Sequence, residues 1–199
     1  MRRLALLLAV LVSSGAQVPG ARAQDASPLL RPTRDVDVTY MMASPLAGGG
    51  WEMLTERQRW SVATGRLRID PPTPGLWMVV DLARGQVANV EPAKKRVLEG
   101  PAPALPGASS GRGIRRGPDR VDRWPCTDWE LRDAAGAPVV LCLTDDGVLL
   151  RASSGGQVRL EALELRYAPQ PAALFEIPGD YRREPAPVVS ATGQPAAAK

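Results

Sequence analysis

The chain has 199 residues, a formal net charge of +4, two cysteines and no histidine. The missing histidine removes the commonest general base and the commonest zinc and haem ligand, and two cysteines alone cannot close a structural zinc site. Arg2, Arg3 and Arg22 carry most of the charge excess: the rest of the chain has 22 basic against 21 acidic residues, so composition gives no support to nucleic-acid binding.

Residues 1–23 have the pattern of a secretory signal peptide. Arg2 and Arg3 precede a short apolar run from Leu4 to Val12, and Ala21 and Ala23 supply the small residues of a cleavage site near Ala23. The run is shorter than the roughly 20 residues a membrane helix needs, and no later run approaches that length. The expectation is an exported, periplasmic chain with no transmembrane segment after cleavage. What remains suits one domain with a core.

Residues 24–34 read as a leader. "DVDVTYMM" then alternates, with Val36, Val38, Tyr40 and Met42 on one face and Asp35, Asp37 and Thr39 on the other, which predicts a half-buried strand. After "AGGG", residues 53–62 can form a second strand, with a helix as the alternative. "RLRID", "LWMVVDL", "QVANVE" and "KRVLEG" follow, each of strand length, separated by "PPTPG", "ARG" and "PAK". The separators are turn chemistry, so the run predicts an antiparallel meander.

Residues 101–119 lack an apolar period and predict a flexible basic loop. Its Arg112, Arg115 and Arg116 are candidate contacts for anionic groups such as lipid headgroup phosphates. Four further strands are expected from "CTDWELR", "PVVLCLT", "GVLLRAS" and "QVRLEALELRYA". Alternation in the last slips near Ala162 and Leu163, which calls for a bulge and a bent sheet. "ALFEIP" closes a domain spanning 35–183, and the Pro/Ala-rich residues 184–199 read as a disordered tail.

Folding "CTDWELRDAAGAPVVLC" about its middle puts the turn at residues 133–138 and Cys126 across from Cys142, or one step off. In an oxidising compartment this pair should form a disulfide. Asp146 and Gly147 read as a type I′ hairpin pair. A calcium loop would need more oxygen ligands at alternating spacing.

"LWMVV" and "VVLCL" are apolar on both faces, so both faces need a cover. One cover is core; the other can be a bound amphiphile, with Trp77 and Val79 as the candidate ligand-facing set. The meander, the Cys-Thr-x-Trp and Cys-x-Thr-x-Asp-Gly pieces and the ending "PAALFEIPGDYRR" together resemble an uncharacterised family of Gram-negative exported proteins. That family is similar in strand pattern to the LolA-like periplasmic lipoprotein carriers. The resemblance covers roughly Val36 to Arg183 without the basic loop. It implies an all-β (or β-rich α+β) fold, a strongly curved antiparallel sheet forming an incomplete barrel, with a concave side able to take acyl chains.

The expected function is a non-enzymatic binder of a lipid, lipoprotein or other apolar ligand, with no cofactor and no nucleic-acid partner. The alternative is an envelope interaction protein working through the Arg-rich loop or the tail. A hydrolase using Asp128, Asp145 or Asp146 is a third reading.

Overall fold

The computed structural model describes residues 27–102 and 113–187. The candidate signal peptide, Arg112 and residues 188–199 lie outside them. Among the described residues, twelve strands form one sheet: β1 (Val36–Pro45), β2 (Trp51–Ser61), β3 (Arg66–Asp70), β4 (Trp77–Asp81), β5 (Gln86–Glu91), β6 (Arg96–Pro101), β7 (Ile114–Val121), β8 (Trp124–Arg132), β9 (Pro138–Leu143), β10 (Leu149–Ser154), β11 (Gln157–Tyr167) and β12 (Arg182–Pro185). Single 3-10 turns occur at Pro92–Lys94 and Ala172–Phe175. The all-β expectation is met. No helix among the described residues is long and apolar enough to cross a membrane.

The spatial order is β12-β6-β5-β4-β3-β2-β1-β11-β10-β9-β8-β7. β1 is the central strand, flanked by the meander β2–β6 on one side and by β11 back to β7 on the other. Consecutive β6 and β7 therefore lie ten strand positions apart, about 47 Å if the sheet were flat. The chain between Ala102 and Gly113 reaches at most about 40 Å. The sheet must curve, and it does so without closing into a barrel.

Bulges supply part of that curvature. Thr39 faces Glu164 while Tyr40 faces Ala162, so Leu163 is the extra residue of β11. It points out, at 48% exposure. The slip expected near Ala162 and Leu163 is this bulge. Bulges also occur in β10 next to Leu149 and in β7 between Arg115 and Gly117.

Two apolar clusters lie on the sheet. One joins Val36, Val38, Tyr40, Trp60, Leu150, Ala162 and Leu165 with both cysteines. The other joins Trp129, Leu131, Leu141 and Leu143, with Leu30 packed against them. On the opposite face of β1–β3 the alternation delivers charge. Arg57 grips Asp37 at 2.8 Å, Arg68 sits 2.9 Å from Asp70, and Arg59 pairs with Asp70 as well.

Three expectations need correction. Residues 114–119, read as loop, belong to β7, which pairs antiparallel with β8. An edge strand needs partners on one side only, so it tolerates Gly117 and Pro118 and shows no apolar period. Pro101 closes β6 opposite Gln86. Glu184 and Pro185, read as tail, lie in β12, which runs parallel to β6 and covers its edge. The sheet is thus mostly, not wholly, antiparallel.

Candidate functional site

The disulfide forms as expected between Cys126 and Cys142, with Cα atoms 5.5 Å apart. The turn at residues 133–137 is also as expected, but the register is displaced. Asp128, not Cys126, faces Cys142, so the bond runs diagonally between β8 and β9. The Asp146–Gly147 turn exists too, in a different form. Gly147 N–H donates to Thr144 O at 2.9 Å, and only Gly147 has positive φ, so this is not the mirror-image type I′ turn.

Of the carboxylates considered for chemistry, Asp146 and Asp128 have structural partners, while Asp145 borders a hollow with Arg115 and Tyr167. Asp146 accepts from Thr144 Oγ1 at 2.5 Å and Tyr167 Oη at 2.9 Å. Asp128 and Asp119 share the Arg151 guanidinium, Asp128 at 3.5 Å. Burial, with the neighbouring Asp119, pushes the Asp128 carboxyl up against the pull of Arg151. The hydrogen bond from Arg151 holds Asp119 below the usual carboxylate range. Asp119, Asp128 and Cys142 lie close enough for a metal, but the Cys142 sulfur is committed to the disulfide and offers no thiolate.

Of the three arginines expected to contact anionic groups, Arg115 and Arg116 fall among the described residues, at the β7 bulge. Arg116 pairs with Glu130 across the β7–β8 hairpin. Arg115 lines a hollow shared with Trp124, Asp145 and Tyr167.

The concave face carries an apolar groove of about 280 Å³. β1 contributes Val36, Val38 and Tyr40, β2 contributes Gln58 and Trp60, β3 contributes Leu67 and Ile69, and β4 contributes Val80. Alternation dictates this set. Val36 faces Trp60, Trp60 faces Leu67, and Leu67 faces Val80, so one row of inward positions runs across four strands. The β9–β10 turn and residues 30–32 complete the wall. That N-terminal segment is tied down by Thr33 N–H, which donates to Asp146 O at 2.9 Å. Gly147 permits the approach: a Cβ there would stand 2.3 Å from Arg31 O.

Trp77 and Val79, expected to face the ligand, lie on the opposite face. Arg68 caps the Trp77 ring at 4.3 Å. Val79 borders a separate hollow of about 370 Å³ with Phe175, Arg66, Asp81, Glu99 and Arg183. Val79 and Val80 are equally buried, at 5% exposure each. Alternation divides β4 into two sets; the direction of curvature, fixed by all the strands together, decides which set is concave.

The groove's polar atoms were not singled out from the sequence. Tyr40 Oη donates to Leu149 O at 2.6 Å. Burial, then the nearby Glu56 carboxylate, push this phenol far above its ordinary value, so it stays neutral. Glu56 faces Tyr40 across the β1–β2 pair and accepts from Gln58 Nε2 at 2.7 Å. Burial raises the Glu56 carboxyl, and the Gln58 hydrogen bond only partly offsets this. Trp60 Nε1 is buried and has no hydrogen-bond partner among the described residues. The available signal was parity: Leu54, Glu56, Gln58 and Trp60 share one face of β2, which sets two polar residues among apolar ones.

No family model matches this chain, and no curated protein matches it. Among solved structures, its fold is similar to that of an uncharacterised conserved protein from Thermus thermophilus, with a TM-score of 0.53 and 16% identity, over 76% of this chain and 90% of that one. It is also similar to PNGF-II, with a TM-score of 0.50 and 9% identity, over 77% of this chain and 31% of that one. At these identities the likeness concerns the fold alone: a curved, open β-sheet.

Proposed function

We propose that this is an exported, periplasmic, non-enzymatic protein that holds a lipid, a lipoprotein acyl chain or another apolar ligand in its concave groove. The observation that carries the reading is the groove itself: an apolar hollow of about 280 Å³ lined from four adjacent strands. That volume falls just below the roughly 300–1,000 Å³ typical of small-molecule sites, which suits one acyl chain rather than several. The disulfide is compatible with an oxidising compartment. The resemblance to LolA-like carriers belongs to the same proposal. The absence of histidine and the structural partners of Asp128 and Asp146 favour binding over catalysis.

A second reading, an envelope interaction protein, draws support from the tip of the β1–β2 hairpin. Leu46, Trp51 and Met53 are exposed there, with Arg159 stacked 3.9 Å over Trp51. Native mass spectrometry of the protein purified from its own host envelope separates the two. A co-purifying lipid mass is the expected result. A bound protein with an empty groove would replace the first reading with the second.

A further inference from the structure

The β1–β2 hairpin projects from the sheet. The last β1–β11 rung is Met42–Leu160, and β3 pairs with β2 only from Arg57 onward. Beyond those rungs Ala43 pairs with Met53, Ser44 with Glu52 and Pro45 with Trp51, a ribbon of two strands. At about 3.3 Å per residue, the four residues from Met42 to Leu46 carry the tip about 13 Å past the last rung. A two-stranded ribbon is marginal in water, and this one ends on apolar side chains. Leu46 is 48% exposed, Trp51 46% and Met53 53%. Alternation sets Trp51 and Met53 on one face and turns Glu52 to the other. A Cβ at Gly48, Gly49 or Gly50 would meet nothing within 4 Å, so no other described part of the chain packs on the turn.

We propose that this tip docks on a lipid bilayer, with Leu46, Trp51 and Met53 seated among the headgroups and upper acyl chains. The chemistry fits an interface better than a protein pocket. Tryptophan, an apolar ring with one polar N–H, concentrates at membrane–water boundaries. Arg159 stacks 3.9 Å over the Trp51 ring. Its position next to Leu160 puts it just beyond the last rung and short of the tip, where its charge meets lipid phosphates as the tip enters. A loop entering lipid must satisfy its own backbone. This one closes two bonds internally: Leu46 N–H donates to Gly50 O at 3.2 Å, and Gly49 N–H donates to Leu46 O at 3.0 Å. A protein partner would favour a tip of fixed shape, and three consecutive glycines do not provide one. The docking surface extends the groove reading, because the same hairpin carries Val38, Tyr40, Gln58 and Trp60 of the groove wall at its base. Met42 and Leu54, paired on that face, continue the wall towards the tip.

The test measures flotation of the envelope-purified protein with vesicles of phosphatidylcholine, with and without phosphatidylglycerol. Wild type should float with both. Leu46→Ala combined with Trp51→Ala should weaken partition at least about tenfold on both, since two half-exposed side chains lose their burial in lipid. Arg159→Gln should weaken it about three- to fivefold with phosphatidylglycerol present and less without. Brominated acyl chains should quench wild-type tryptophan fluorescence, and Trp51→Phe should remove most of that quenching, a readout that keeps an aromatic ring at the tip. Binding of a soluble neutral hydrophobic probe, measured without vesicles, separates the tip from the groove. Probe binding that persists in the tip variants while flotation is lost supports the docking surface. Wild type that does not float, or tip variants that float as well as wild type, would overturn it and leave the groove untouched. A probe that fails to bind wild type, with flotation still dependent on Leu46 and Trp51, would remove the groove reading and leave the docking surface in place.

Discussion

Removing the disulfide by the double substitution Cys126→Ala, Cys142→Ala should lower stability by an amount that follows from the chain. The bond joins residues 16 apart in sequence. In the chain-entropy model, closing a loop of that size is worth about 3 kcal/mol. The β8–β9 hairpin already holds the two positions together in the folded state, so the effect acts mainly on the unfolded chain. For a domain of this size each kcal/mol moves the melting temperature by about 2–4 °C, so the expected fall is about 6–12 °C. Differential scanning calorimetry of both proteins under identical buffer measures it. Because Cys142 is 1% exposed, a reductant reaches the bond slowly, and the double variant is the cleaner comparison. A fall below about 3 °C would refute the argument that this diagonal link constrains the unfolded chain.

Two further perturbations follow from the groove and its wall. Glu56→Gln should raise the melting temperature near neutral pH. The folded carboxyl titrates above its unfolded counterpart, so the folded state binds more protons in that window and stability falls as pH rises through it. The advantage should vanish below about pH 4, where the carboxyl is protonated in both states; an equal advantage at all pH values would contradict the assignment. Gly147→Ala should cost more than Gly136→Ala. Both residues have positive φ, worth about 1–2 kcal/mol of strain to an alanine. A Cβ at Gly136 meets open space, whereas at Gly147 it displaces Arg31 O. Hydrogen exchange of the Thr33 amide should accelerate in the Gly147 variant alone.

Much of the architecture was legible because alternation is a local signal. The strands of the meander, the cysteine pair and the β11 bulge all follow from side-chain parity and turn residues. β7 was illegible because an edge strand buries little: in "IRRGPDRV" only Val121 is buried, and the backbone pairing leaves no trace in the side chains. The site was half legible. Parity separates Val79 from Val80, but the sign of curvature is a property of the whole sheet. The Glu56–Gln58–Trp60 row was open to the same parity argument; the apolar residues around it drew the reading first.

The groove face is proposed to bind a ligand and the opposite face is not. Titration of a neutral solvatochromic hydrophobic probe into wild type, Leu67→Gln and Trp77→Ala tests it, with circular dichroism checking that each variant folds. Leu67 lines the groove; Trp77 lies on the other face beneath Arg68. Saturable binding to wild type is expected, with several-fold weaker binding to Leu67→Gln, because a partly buried leucine has only part of the about 1.5–3 kcal/mol of a full side-chain burial left to gain from a ligand, and unchanged binding to Trp77→Ala. Loss of binding in Trp77→Ala with none in Leu67→Gln, or no saturable binding to wild type, would contradict it.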